Sequence, residues 1–160
     1  MLTLIAAFLF SSLTSDVRIA ALSEPGERLV LSGTVYRADG RTPAANVILL
    51  AYHTNAKGIY PRRGNTDERG SLQGRLRTDS QGRYRIDTIR PGGYPRSAAP
   101  AHIHLVVQPE GKREYYIDEV VFDDDPRTNA VRGRKGFAVV KVVKRNGVWA
   151  GTHDIVLPAE

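Results

Sequence analysis

The sequence predicts an all-β fold: a single-domain β-sandwich, antiparallel or mixed, with two unusually long loops. Three observations carry this. Short apolar runs separated by turn residues recur from residue 28 to residue 157. No useful window after residue 27 shows the 3.6-residue period of an amphipathic helix. The chain has 160 residues, one domain's worth, and a domain of this size buries roughly 70% of its unfolded surface without a structural staple.

The chain opens on LTLIAAFLF (residues 2–10), an apolar run of signal-peptide length that is too short to span a bilayer. Small residues follow at Ser11, Ser12, Thr14 and Ser15, although no Lys or Arg precedes the run. Residues 1–15 are therefore read as a signal peptide, implying a periplasmic or secreted protein. The alternative is a buried first element in a cytoplasmic one. The folded domain is expected over residues 28–157.

Within it, residues 28–36 (RLVLSGTVY) alternate and then meet the turn pair Asp39-Gly40. Residues 46–52 (NVILLAY) form a nearly continuous apolar run, fit for a strand covered on both faces. Residues 74–78 and 83–89 flank Asp79-Ser80-Gln81-Gly82 and read as a hairpin. Residues 101–107, 114–122, 136–143 and 152–156 complete about eight strands. Between them, residues 54–73 and 90–100 are rich in Gly, Pro, Arg and Asn. Irregular stretches of this length in a compact β domain are usually functional. Each holds one tyrosine, Tyr60 and Tyr94.

Composition removes several function classes. With no cysteine there is no disulfide scaffold, Cys nucleophile, zinc ribbon or iron–sulfur cluster. The net charge is +6, but the basic residues are scattered and no nucleic-acid-binding motif accompanies them. The charge is read as a soluble surface suited to anionic small molecules, with no nucleic acid and no membrane partner.

The chemistry concentrates at Ala101-His102-Ile103-His104-Leu105. Side chains on a strand repeat every two residues, so both imidazoles leave one face and can reach one ion, with Ile103 pointing away and Val106 sharing their face. Alone, the pair is equally well read as two half-buried histidines. Further ligands are scarce: residues 88–105 contain no carboxylate, while His53 and His153 sit in other contexts. The phenols of Tyr60 and Tyr94 remain. A phenol titrates near pH 10, so its ligation requires a strongly Lewis-acidic ion, and ferric iron suits phenolates better than zinc does.

With these motifs in order, the sequence resembles the intradiol ring-cleavage dioxygenases, the family of the catechol and protocatechuate dioxygenases, as a minimal single-domain member. The resemblance runs from Leu31 to about Pro126. It is carried by LSGTVYRADGRTPAANVILL, by AYHTNAKGIY ending at Tyr60, by LRTDSQGRYRIDT, by IRPGGYP around Tyr94, by PAHIH, and by FDDDP at residues 122–126. It implies four iron ligands, Tyr60, Tyr94, His102 and His104, on a non-haem Fe(III) cofactor. It also implies an activity in aromatic compound catabolism, in which dioxygen cleaves a catechol-type diol between its two hydroxyls. A homo-oligomer is left open.

Two departures stand out. Family members carry an arginine three residues before the first ligand histidine, where this chain has Ala99. Arg96 is the nearby candidate for that catalytic role. The family's Thr-Gln pair is replaced by Asp118-Glu119. The alternative function is a β-sandwich that binds diols or aromatics without turnover. Tyr36, Tyr52, Tyr84, Tyr115, Tyr116 and Trp149 are read as packing residues, His53 as a turn histidine bonded to backbone, and Asp123-Asp124-Asp125 as a solvated acidic turn.

Overall fold

A computed structural model describes residues 12–64 and 66–159. The signal-like run at residues 2–10 lies outside them. The described strands are β1 (Asp16–Arg18), β2 (Arg28–Tyr36), β3 (Ile48–Tyr52), β4 (Gln73–Arg77), β5 (Arg83–Ile89), β6 (His102–Gln108), β7 (Tyr115–Tyr116), β8 (Glu119–Phe122), β9 (Phe137–Val140), β10 (Val142–Arg145), β11 (Val148–Thr152) and β12 (Ile155–Val156). A single 3-10 turn, Pro126–Ala130, is the one described helical element, and no described helix is long and apolar enough to cross a membrane.

These strands build two mixed sheets. One has the order β1-β5-β2-β11-β10, with β12 also on β2; the other has the order β4-β3-β6-β8-β9, with β7 on β6. Alternation in the strands decides what lies between them. Leu29, Leu31 and Val35 of β2 and Tyr84 and Ile86 of β5 face Leu49 of β3, Ile103, Leu105 and Val107 of β6, and Val120 and Phe122 of β8. Each fully buried aliphatic side chain contributes about 1.5–3 kcal/mol of transfer free energy, so this layer supplies most of the drive to fold.

Strands β2 and β5 match the expected ranges residue for residue. Four expectations need correction. Residues 74–78 and 83–89 are not a hairpin: β4 pairs with β3 in one sheet and β5 with β2 in the other, so the Asp79–Gly82 turn carries the chain between sheets. The sandwich starts before Arg28, because β1 pairs in parallel with β5 at Asp16–Arg85 to Arg18–Asp87. A three-residue strand offers no alternation to read; Arg18 and Arg28 hold it there by pairing with the part-buried Asp87. The run at residues 136–143 is not one strand. The chain changes sheets at Lys141, so β9 pairs with β8 and β10 with β11. The run at residues 114–122 is also interrupted, with β7 opposite Val106–Val107 and β8 opposite His102–Ile103.

Candidate metal centre

Strand β6 lies mid-sheet, between β3 and β8. Because Ile103, Leu105 and Val107 enter the core, His102, His104 and Val106 emerge on the outer face of the second sheet. The site is therefore not between the sheets. It is roofed by the two long loops, which bring Tyr60 and Tyr94 over that face.

All four expected ligands come together. The Tyr60 hydroxyl is 2.7 Å from that of Tyr94 and 2.9 Å from His104 Nε2. The Tyr94 hydroxyl is 3.1 Å from His102 Nε2 and 3.4 Å from His104 Nε2, and the two Nε2 atoms are 3.2 Å apart. Donors held roughly 2.0–2.1 Å from one ion stand roughly 2.9–3.4 Å from each other, so this cluster has the dimensions of a coordination shell. His102 Nδ1–H donates to the Pro100 carbonyl at 2.9 Å, which leaves its Nε2 lone pair facing the cluster.

Burial keeps two members of the cluster, Tyr60 and His104, neutral. Burial, followed by the hydrogen bond shared with Tyr94, pushes the Tyr60 phenol well above its ordinary range. Burial, then the neighbouring imidazoles of His102 and His53, lowers His104 to about 4. Tyr60 therefore holds its proton until a strong Lewis acid displaces it.

The loops are stapled to each other by backbone. The Asn55 carboxamide oxygen accepts the N–H groups of Lys57 and Ile59, shaping the turn that leads to Tyr60. Thr54 donates to the Gly92 carbonyl at 2.8 Å, and Gly92 N–H donates to the Asn55 carbonyl at 2.9 Å. Gly58 sits at φ 78°, and a Cβ there would lie 2.0 Å from the Gly93 carbonyl oxygen. Only glycine allows this approach.

The acidic triplet is not simply solvated, as the sequence suggested. Asp123 accepts the Val142 N–H, and Asp124 makes a bidentate pair with Arg90 at 2.8 Å. Asp125 accepts the N–H of Ala101, one residue before His102, and holds Arg127. A Cβ on Gly93 would lie 2.3 Å from Arg127 Nη1, so the triplet also braces the Tyr94 loop.

Two neighbours of the site were not anticipated. Tyr52, read as packing, lies flat on His104 with ring centroids 4.5 Å apart and 18° between planes. Across the strand on the other side, Glu119 Oε1 is 3.0 Å from His104 Nδ1. The strand pairing puts Tyr52 directly opposite His104, and the β6–β8 register reaches Glu119 one step beyond Ile103–Val120. The Asp118-Glu119 departure was visible in the sequence, but nothing there showed which residue of β8 would meet which of β6.

Other expectations resolve as follows. His53 does bond backbone, through Nδ1 to the Thr54 carbonyl, but it is fully buried and also meets the Thr88 hydroxyl at 2.7 Å. Tyr84 is buried and donates to the His153 carbonyl, whereas Tyr116 is 60% exposed and is not a packing residue. Trp149 packs against the core from β11 beneath the Arg90 guanidinium. Arg96 is exposed, at φ 61°, on the loop between Tyr94 and His102. Arg69 lies 5.7 Å from the centre of the Tyr52 ring, a cation near the site that the sequence did not single out.

A family model described as Dioxygenase matches residues 11–133, the stretch that contains every one of these donors. The chain belongs to the intradiol dioxygenase family. It is 35% identical over 111 residues to catechol 1,2-dioxygenase of Acinetobacter baylyi, covering 58% of this chain and 35% of that one. It is 32% identical over 111 residues to the protocatechuate 3,4-dioxygenase beta chain of Burkholderia cepacia, covering 63% and 47%. The chain thus spans less than half the length of these curated relatives. Among solved structures, catechol 1,2-dioxygenase from Acinetobacter sp. ADP1 superposes with TM-score 0.72 at 26% identity, over 91% of this chain and 57% of the other. The dioxygenase domain of a carbohydrate-binding fusion from Streptomyces sp. SirexAA-E shares the fold at TM-score 0.76 and 23% identity. It covers 99% of this chain and 97% of that one. For an intradiol family member, the oxygen- and nitrogen-only donor set of two phenols and two imidazoles suits ferric iron.

Proposed function

We propose that this chain holds one ferric ion through Tyr60, Tyr94, His102 and His104 and uses dioxygen to cleave a catechol-type ring between its two hydroxyls. The observation that carries this reading is the convergence of two phenol oxygens and two Nε2 atoms, five of whose six pairings lie at 3.4 Å or less. When bound, ferric iron supplies the Lewis acidity that favours phenolate and catecholate and makes the ring reactive toward dioxygen.

The protein's own part follows from its residues. His102, fixed by the Pro100 carbonyl, presents one nitrogen in a set orientation. The hydroxyls of Tyr60 and Tyr94 lie within hydrogen-bond reach of each other, so either one, as a phenolate, would be placed to accept the proton that an incoming diol gives up. Tyr52, stacked on His104, forms an aromatic wall beside the donors. The bonds between the two loops hold both tyrosines over the imidazoles. To Arg96, exposed on the loop that joins Tyr94 to His102, we assign the role of the cation that meets the charge developing on the ring.

A second reading, a diol-binding sandwich without turnover, is favoured by one observation: Ala99 stands where the family arginine is expected. The visible spectrum of iron-loaded protein, taken before and after catechol with oxygen uptake followed in parallel, decides between them. Ring cleavage requires a tyrosinate-to-iron band, a shift on adding catechol, and oxygen consumption. A shift without oxygen consumption favours the binding module, and a colourless protein after aerobic iron loading defeats both the iron site and the activity.

A further inference from the structure

We propose that Glu119 is a positioning residue for His104: its carboxylate accepts the Nδ1 proton, so that Nε2 is the nitrogen offered to the metal, and strengthens that nitrogen as a donor. This inference rests on the metal-binding reading above and names a member of the site that the four donors do not include.

Three features of the geometry support it. The two nitrogens of His104 face opposite ways: Nδ1 meets Glu119 Oε1 at 3.0 Å, while Nε2 meets Tyr60 at 2.9 Å and His102 at 3.2 Å. The carboxylate therefore stands behind the ring rather than in the donor cluster. Among the described residues His102, His104 and Glu119 do form a compact set of ligand-type atoms. An ion bound between the carboxylate and Nδ1 would nevertheless lie on the side of the ring away from both phenols. Second, the neighbouring ligand position solves the same problem differently. His102 gives its Nδ1 proton to a backbone carbonyl, Pro100, a neutral dipole. His104 gives its proton to a carboxylate, a stronger acceptor than a carbonyl, and that bond strengthens its Nε2 as a donor. Third, the ring is not free to turn over. Tyr52 lies flat against it at 4.5 Å, and cross-strand pairing fixes both flanking residues on the outer face.

The placement also has a structural cause. Between β7 and β8 the pairing with β6 breaks at Ile117–Asp118, where Ile117 N–H bonds the Leu105 carbonyl and Asp118 Oδ1 accepts the Gly136 N–H. An interruption of this kind re-aims the side chain that follows it, and here that side chain is Glu119.

The test uses Glu119→Gln, which keeps an acceptor without the charge, and Glu119→Ala, which removes both. Imidazole nitrogen NMR of the metal-free full chain reads the His104 tautomer directly. The parent and Glu119→Gln are expected to carry the proton on Nδ1, and Glu119→Ala to show a mixture. Ferric-ion affinity, measured by chelator competition, is expected to fall 10–100-fold in Glu119→Ala and no more than a few-fold in Glu119→Gln. The charge-transfer band of Glu119→Gln should move to longer wavelength, because a lost negative charge leaves the ion a better acceptor. A Glu119→Ala protein with the parent tautomer and parent affinity overturns the proposal, and so does a Glu119→Gln band that does not move. Circular dichroism checks the fold, and the near-isosteric glutamine variant sustains the test if the alanine variant unfolds. A parent that takes up no ferric iron sinks the ring-cleavage reading instead, and the tautomer comparison separates that failure from this one.

Discussion

Tyr60 and Tyr94 meet oxygen to oxygen at 2.7 Å, although they lie 34 residues apart on different loops. Burial, and then that contact, raise the Tyr60 phenol well above its ordinary range, so it ionises only where a cation absorbs the charge. The pair is poised to lose protons to a metal and to little else. Replacing either tyrosine with Phe should dim the visible charge-transfer band of the iron-loaded protein, and the double variant should abolish it. Proton release on iron uptake should fall in step, read in weakly buffered solution. An unchanged spectrum in the double variant would remove phenolate ligation.

The histidines should matter more to retention than to colour. His102→Ala and His104→Ala each open one of four donor positions, and iron content after dialysis is expected to drop tenfold or more. Metal analysis against the parent checks this. Full occupancy in either variant would place the ion elsewhere.

The contact between the two loops makes a stability prediction with a built-in control. Gly58→Ala puts a Cβ 2.0 Å from the Gly93 carbonyl oxygen at φ 78°, so the loops must separate. Gly64 has a similar φ of 64° but nothing within 4 Å of a Cβ. Gly64→Ala should cost only the left-handed backbone strain, about 1–2 kcal/mol. Gly58→Ala should cost clearly more and lose iron as well. Urea unfolding and iron content of the two variants decide it; equal losses would mean that the loop contact is unimportant.

Acid should destabilise the fold through His53. Burial lowers this fully buried imidazole from 6.5 to about 4. The unfolded chain takes up the proton first as pH falls, so the stabilisation present above about pH 6.5 is lost progressively on the way to pH 4. A shift of this size corresponds to about 3 kcal/mol. His104 and His153, both lowered chiefly by burial, act in the same direction. His53→Gln cannot titrate, so its stability should fall less steeply between pH 6.5 and pH 4, whatever its stability at pH 7. Parallel curves for variant and parent would rule His53 out.

Arg96 carries the most exposed of these predictions. Arg96→Ala should leave iron colour and catechol binding intact while cutting turnover on the order of a hundredfold, the usual loss for one preorganised electrostatic donor. Arg62 and Arg63, just past Tyr60, are the next candidates by sequence; Arg63 already pairs with the buried Glu24 at 2.7 Å, whereas Arg69 lies over Tyr52. Oxygen uptake at the parent rate in Arg96→Ala would move the role to Arg69.

How much of this could be read from the chain depended on range. His102 and His104 were legible because two-residue periodicity is local: once the strand is assigned, both imidazoles must share a face. Strands β2 and β5 were legible for the same reason, their alternation and the Asp79–Gly82 turn being written in consecutive residues. Tyr60 and Tyr94 were singled out by loop placement and family likeness, since no local rule brings two loops together. Glu119 escaped because strand register is a relation between segments, and the break at Ile117–Asp118 shifts it. Strand β1 and the sheet change at Lys141 escaped because their partners are supplied from elsewhere in the chain.

The crossing at Lys141 bears on how the chain emerges from the ribosome. By the time Asp125 has been synthesised, all four donors, Glu119 and both loops exist, yet neither sheet is closed. Strand β8 awaits β9, and β2, in the middle of its own sheet, awaits β11 and β12. The β8 edge stands open until residue 140 appears and the β2 edge until residue 156, and long-range parallel pairings of this kind form slowly. The nascent chain therefore passes through an interval in which a chaperone or a second copy can reach those edges first.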